Sequence, residues 1–115
     1  VVYCLSRIIY AESGNQPLDG KIAVGNVVLN RVASPRFPNS VYEVIFQRNQ
    51  FTPAANGSIN RTPSAESVVA AKLCLDGANT AGSALYFVNP TVAPGSWASR
   101  NRPYVATIGA HAFYG

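Results

Sequence analysis

The stretch from Pro17 to Ala33 constrains the fold more than any other part of the chain. It carries Ile22, Val24, Val27, Val28, Leu29 and Val32. Apolar residues recur there at helical spacing, but they lie all round the helix instead of along one stripe, so no broad polar face is left for water. The pattern predicts a helix from Pro17 or Leu18 to Ala33, buried at the centre of the molecule. Everything else must cover it.

The preceding segment, Val1 to Glu12, reads as a second helix, because Leu5, Ile8, Ile9 and Glu12 follow one another at three- and four-residue intervals along one stripe. Ser13-Gly14-Asn15, followed by Pro17, ends it. Ser34 to Asn39 is a turn-rich link, and Asn39 or Ser40 can cap a short helix from Val41 to Phe46. Gln47 to Arg61, with Pro53, Gly57 and three asparagines, reads as a long irregular loop of the kind that often carries function. Thr62-Pro63 predicts a further helix, with threonine as cap and proline at the first helical position, closed by Asp76-Gly77. Beyond it, Ala84 to Val88, Tyr104 to Ile108 and Ala110 to Tyr114 read as short strands. The expected class is α+β, mainly helical, with a small antiparallel sheet in the C-terminal third. At 115 residues, residues 1–115 are expected to form one domain.

Composition narrows the function classes. With 48% hydrophobic and 12% charged residues the chain is an ordinary folding sequence. Its apolar runs, such as Ile8 to Ala11, fall far short of the roughly 20 residues of a membrane-spanning helix, so no membrane insertion is expected. No cleavable signal is visible, although the chain begins at Val1 without methionine and this bears little on export. A net charge of +4 suits an acidic partner, but the basic residues are scattered without a dense tract, against a nucleic-acid partner. Cys4 and Cys74 read as free thiols, a single bridge being the alternative. There is no CxxC or Cys/His cluster, so neither metal nor other cofactor is expected.

Five carboxylates are present: Glu12, Asp19, Glu43, Glu66 and Asp76. Asp19 and Glu66 fall near helix starts, where the dipole favours a negative charge, and Asp76 lies beside the terminating Gly77. Glu43 faces either solvent or a cleft. Glu12 continues an apolar stripe, where partial burial raises a carboxyl pKa and creates a proton donor near neutrality. Alternatively it pairs with an arginine or caps a backbone group. Elbow serine, phosphate-loop and zinc-protease motifs are absent, and neither cysteine has an activating context. His111 reads as a satisfied structural residue, a base or ligand role being the alternative. Gln50, Phe51, Asn56, Tyr86, Phe87, Asn89 and Trp97 combine aromatic faces with amides, a mixture suited to sugars, although some of the aromatics are expected in the core.

Ile8-Ile9-Tyr10-Ala11-Glu12, Val28-Leu29-Asn30-Arg31-Val32 and Ser34-Pro35-Arg36-Phe37-Pro38 together resemble the catalytic domain of the SleB/CwlJ-type cell wall hydrolases. Gln50-Phe51, Asn56-Gly57-Ser58-Ile59, Thr62-Pro63, Ala84 to Pro90, Trp97 and Ile108 to Phe113 extend the resemblance, in order, over essentially the whole chain. It implies a lysozyme-like domain that cuts peptidoglycan glycan strands between N-acetylmuramic acid and N-acetylglucosamine, outside the cytoplasm, in cell wall or spore cortex. It also implies that Glu12 is the catalytic acid and that Gln50, Phe51, Tyr86, Phe87, Asn89 and Trp97 contact substrate. A monomer is expected. Where the family usually continues Ala-Arg-Gly-Glu, this chain has Ser13-Gly14-Asn15-Gln16. An ordinary glycosidase uses two carboxyl groups, about 5 Å apart for retention and about 6.5–9.5 Å for inversion. With one claimant, the expectation is a lytic transglycosylase in which Glu12 acts as acid and then base, giving a 1,6-anhydro product. A hydrolytic muramidase, a non-catalytic peptidoglycan-binding module and a stem-peptide amidase are the alternatives, the last disfavoured because it ordinarily needs zinc.

Overall fold

A computed structural model describes all 115 residues. Helix α1 runs Val2–Ser13, α2 Leu18–Ala33, α3 Val41–Ile45, α4 Thr52–Asn56, α5 Ala65–Leu75 and α6 Trp97–Asn101; strands are β1 Tyr86–Val88, β2 Tyr104–Ile108 and β3 His111–Tyr114. The expected α+β class, with a small C-terminal antiparallel sheet, is what the chain adopts.

The all-round apolar character of α2 has the predicted consequence. Its residues from Gly20 to Val28 are buried without a break, and α1 and α5 both lie against it. Leu5, Ile8 and Ile9 of α1, Val24, Val27 and Val28 of α2, and Ala70, Ala71 and Cys74 of α5 belong to one core, to which the loop adds Phe51 and Ile59 and the sheet Phe113. Each large aliphatic side chain removed from water in this way contributes about 1.5–3 kcal/mol. The helices approach closely because α2 carries Gly25: a Cβ there would lie 2.6 Å from Cys74 Sγ and 3.0 Å from Ile9 Cδ1. Both cysteines are free thiols, as expected. Burial pushes the Cys74 thiol up to about 11, which suppresses thiolate chemistry.

The strand order is β1-β3-β2, antiparallel throughout. Gly109 makes the β2–β3 turn at φ +58, and any side chain there would collide with Gln16 Oε1. No helix is long and apolar enough to cross a membrane.

Three local expectations change. The loop from Gln47 to Arg61 contains α4 and a 3-10 turn at Ser58–Asn60, too short to show an apolar period. The cap of α5 is Ser64, whose hydroxyl accepts the Ser67 N–H at 3.2 Å. The helix therefore starts two residues after Pro63, and proline stands before the cap instead of inside the first turn. Trp97, in a stretch for which no element was expected, opens α6 behind the Ser96 cap.

Candidate active site

The turn after α1 is fastened from three sides. Ser13 Oγ donates to Ile9 O at 2.7 Å, closing the helix end. Gln16 Oε1 accepts the Ala110 N–H at 2.9 Å, joining the turn to the β2–β3 hairpin. Lys21, buried in α2, donates its ammonium to Gln16 O and to Glu66 Oε1, the latter at 2.7 Å. The residue on which the family motif has a second glutamate thus serves here as a neutral latch. Glu12 sits on the last turn of a helix whose end has little freedom.

Glu12 is half-buried and lines an open depression of about 450 Å³ with Tyr10, Ala11, Gly14, Asn15 and Arg61. The single ion pair of the molecule is Lys21–Glu66, so Glu12 has no cation. Burial alone pushes its carboxyl above the ordinary glutamate range, because the charged form loses hydration without a compensating partner. Neither structural alternative for Glu12, an arginine pair or a backbone cap, is realised.

The remaining carboxylates have ordinary work. Glu43 is exposed, and Ser40 Oγ both accepts its N–H at 3.1 Å and donates to its carboxylate at 2.9 Å, a capping arrangement at the start of α3. Glu66 neutralises Lys21. Asp19 lies exposed in the first turn of α2, and Asp76 is the C-cap of α5. No second carboxylate lines the Glu12 depression.

A second cluster gathers around Arg31. This guanidinium is only 5% exposed and has no carboxylate partner. Its Nε donates to Leu85 O at 2.7 Å and its Nη1 to Gln50 Oε1 at 3.1 Å. The rings of Phe37, Phe51 and Tyr86 surround it at 4.7, 5.1 and 5.4 Å. Aromatic faces and carbonyl oxygens replace the missing anion, yet desolvation still lowers its pKa to about 10. Outward from this cation, Tyr86 meets Trp97 edge-on at 5.6 Å and Phe37 at 6.0 Å.

The expected sugar contacts therefore divide. Gln50, Phe51, Tyr86, Phe87 and Trp97 belong to this aromatic cluster, but Phe51 is buried core and Phe87 packs against Phe51, His111 and Phe113. Trp97 is 55% exposed, and Tyr86 is half-buried. Asn89 caps its own turn, its Oδ1 accepting the Thr91 and Val92 N–H groups at 3.0 and 3.3 Å. None of the six lines the depression that contains Glu12. His111 is buried as expected of a structural residue, but not satisfied: its Nδ1 has no partner, and burial lowers its pKa.

Arg31, Phe37 and Arg61 were not singled out as site residues. Arg31 had a signal, since it continues the buried stripe of Val24, Val27 and Val28 at helical spacing. Arg61 had none. It reaches the depression because the 3-10 turn before it lies against α1.

Residues 15–114 match the family model described as cell wall hydrolase. That match begins three residues after Glu12, but similar proteins extend across it. The chain is 38% identical over 112 residues to a spore cortex-lytic enzyme of Bacillus cereus, covering 97% of this chain and 43% of that protein. A spore cortex-lytic enzyme of Bacillus subtilis strain 168 is 38% identical over 109 residues, covering 95% and 35%. The chain thus spans less than half the length of these curated relatives. Among solved structures, the catalytic domain of the germination-specific lytic transglycosylase SleB from Bacillus anthracis superposes with a TM-score of 0.91 at 38% identity, covering 99% of this chain and 93% of that one. The catalytic domain of the Bacillus cereus SleB protein gives 0.90 at 38% identity, covering 99% and 88%. With the matched family model spanning most of the chain and these relatives nearly all of it, this protein belongs to the cell wall hydrolase family.

Proposed function

We propose that this chain is the catalytic domain of a lytic transglycosylase that cuts peptidoglycan glycan strands between N-acetylmuramic acid and N-acetylglucosamine, outside the cytoplasm, and that it works as a monomer. The observation that carries this reading is the state of Glu12: an unpaired, desolvated carboxyl lining an open depression with no second carboxylate beside it. A protonated Glu12 gives its proton to the glycosidic oxygen, the bond to the muramyl C1 breaks, and positive charge develops on that ring. The carboxylate so formed takes the proton from the muramyl 6-hydroxyl while O6 closes on C1. Atoms and charge balance without water, and Glu12 ends as the acid it began. The similarity to spore cortex-lytic enzymes and to a lytic transglycosylase supports both substrate and reaction type.

Tyr86 and Trp97, the accessible members of the aromatic cluster, are assigned the apolar faces of the sugars, with Gln50 and Asn89 offering amides at their edges. Phe51 and Phe87 support this wall from behind. Mass spectrometry of digested peptidoglycan tests the mechanism. Fragments ending in 1,6-anhydromuramic acid are expected, whereas reducing-end muramic acid in their place would mean that water is the acceptor.

A further inference from the structure

We propose that Arg61 makes the Glu12 depression an anion-receiving subsite, which holds a carboxylate carried on the glycan. The proposal deepens the peptidoglycan reading and rests on it. Arg61 is the one cationic side chain lining the depression. It is exposed, yet not free to wander: its Nε donates to Ser58 O at 3.2 Å, and its guanidinium lies over the Tyr10 ring at 5.1 Å. These two contacts fix the planar group from one edge and one face. Its two terminal nitrogens have no partner in the protein, and no carboxylate lies within ion-pair distance, since the only ion pair belongs to Lys21 and Glu66. The buried cations are spent, Lys21 on Glu66 and Gln16 and Arg31 on Leu85, Gln50 and three rings. Arg7 and Arg102 are also held by a hydrogen bond and a ring, but neither lines the depression.

A guanidinium already held in one orientation loses little freedom when it binds, and its fork matches a carboxylate. The Glu12 side chain does not oppose an anion there while it carries the proton that the reaction requires. A muramyl residue supplies the ligand chemistry in two places, the lactyl group on the sugar and the peptide attached to it. On a residue that carries peptide the lactyl carboxyl is bound as an amide and the peptide brings its own carboxylates to that side of the glycan; on a residue without peptide the lactyl carboxylate itself is free.

Binding separates this proposal from cleavage. Glu12→Gln protein, which does not consume its ligand, is titrated with peptide-bearing glycan oligomers, with oligomers stripped of peptide to expose the lactyl carboxylate, and with both after carbodiimide amidation. Amidation is expected to weaken binding about tenfold or more, the scale of one charge-assisted hydrogen bond. Adding Arg61→Gln should abolish that sensitivity, while Arg61→Lys, which keeps the charge without the fork, retains only part of it. A loss on stripping assigns the anion to the peptide; a gain on stripping assigns it to the lactyl group, whose carboxylate is free only once the peptide is gone. If the amidated and free oligomers bind equally, or if Arg61→Gln leaves their ratio unchanged, the subsite does not exist. Turnover by the unmodified protein on the same oligomers is read separately, so its absence would sink the cleavage reading without deciding the subsite.

Discussion

Glu12 and Arg31 are both drawn partly or wholly out of water without a counter-ion, and their surroundings differ in an instructive way. Around Arg31 the fold has replaced the anion with two carbonyl acceptors and three ring faces. Around Glu12 it has supplied nothing but desolvation. The first charge is compensated and ties the Gln50 loop to the segment that leads into β1. The second is left uncompensated on a helix end held by its neighbours, so its carboxyl favours the protonated form. The comparison separates a charge that holds the structure together from one the fold leaves unneutralised, the one proposed as the catalytic acid.

The largest effect should come from removing the second charge. Glu12→Gln is expected to lower peptidoglycan cleavage by about a hundred- to ten-thousand-fold, measured as turbidity loss of wall suspensions, with no loss of thermal stability at neutral pH. A stable Glu12→Gln protein that still clears the suspension would end the catalytic assignment.

Breaking the compensated charge should cost stability instead. Arg31→Leu leaves Leu85 O and Gln50 Oε1 without their donor and removes the cation from its rings, a loss of about 2–4 kcal/mol. Denaturant midpoints measure it, and Arg31→Lys should recover only part, because an ammonium cannot fork between the two acceptors.

The next effect is a pH dependence. The folded Glu12 carboxyl titrates above its unfolded value, so between the two the native state binds more protons than the unfolded one. Its contribution to stability is therefore present below the unfolded value and is lost as pH rises through the folded one. Glu12→Gln should match the parent protein in acid and be the more stable near neutrality, a difference visible in melting curves taken across that range. If both proteins lose stability in parallel, Glu12 is not desolvated in solution.

The smallest effect belongs to His111, whose folded pKa lies below its unfolded one. The unfolded state then binds the extra proton, and stability falls as pH drops through the unfolded value near 6.5. His111→Phe, which also removes the unpartnered Nδ1, should flatten that part of the stability profile.

Much of the architecture was readable because long apolar periods report burial directly. The bounds of α1 and α2, the end of α5 and the positions of β2 and β3 follow from Ile8, Ile9, Val24, Val27, Val28 and the punctuation at Gly14, Gly77 and Gly109. The short helices α4 and α6 were not readable, since five residues hold too few apolar positions to set a period. Thr62-Pro63 misplaced the start of α5 because Ser64, two residues beyond the threonine, offers an equally good cap. The resemblance pointed to Glu12 by its motif, and the expected platform is a mixture: Phe51 is core, Asn89 caps its turn, and Trp97 stands exposed.

By itself the sequence determined that α2 would be central, that a small sheet would follow the helices, and that Glu12 would lie at the end of an apolar stripe. Those are consequences of local spacing and of the cost of leaving apolar surface in water. Only the tertiary structure decided that Glu12 has no partner, that Arg31 has rings in place of an acid, and that Arg61 shares the depression with Glu12. Burial and charge compensation depend on atoms brought together from distant parts of the chain, and no local pattern specifies which of them will meet.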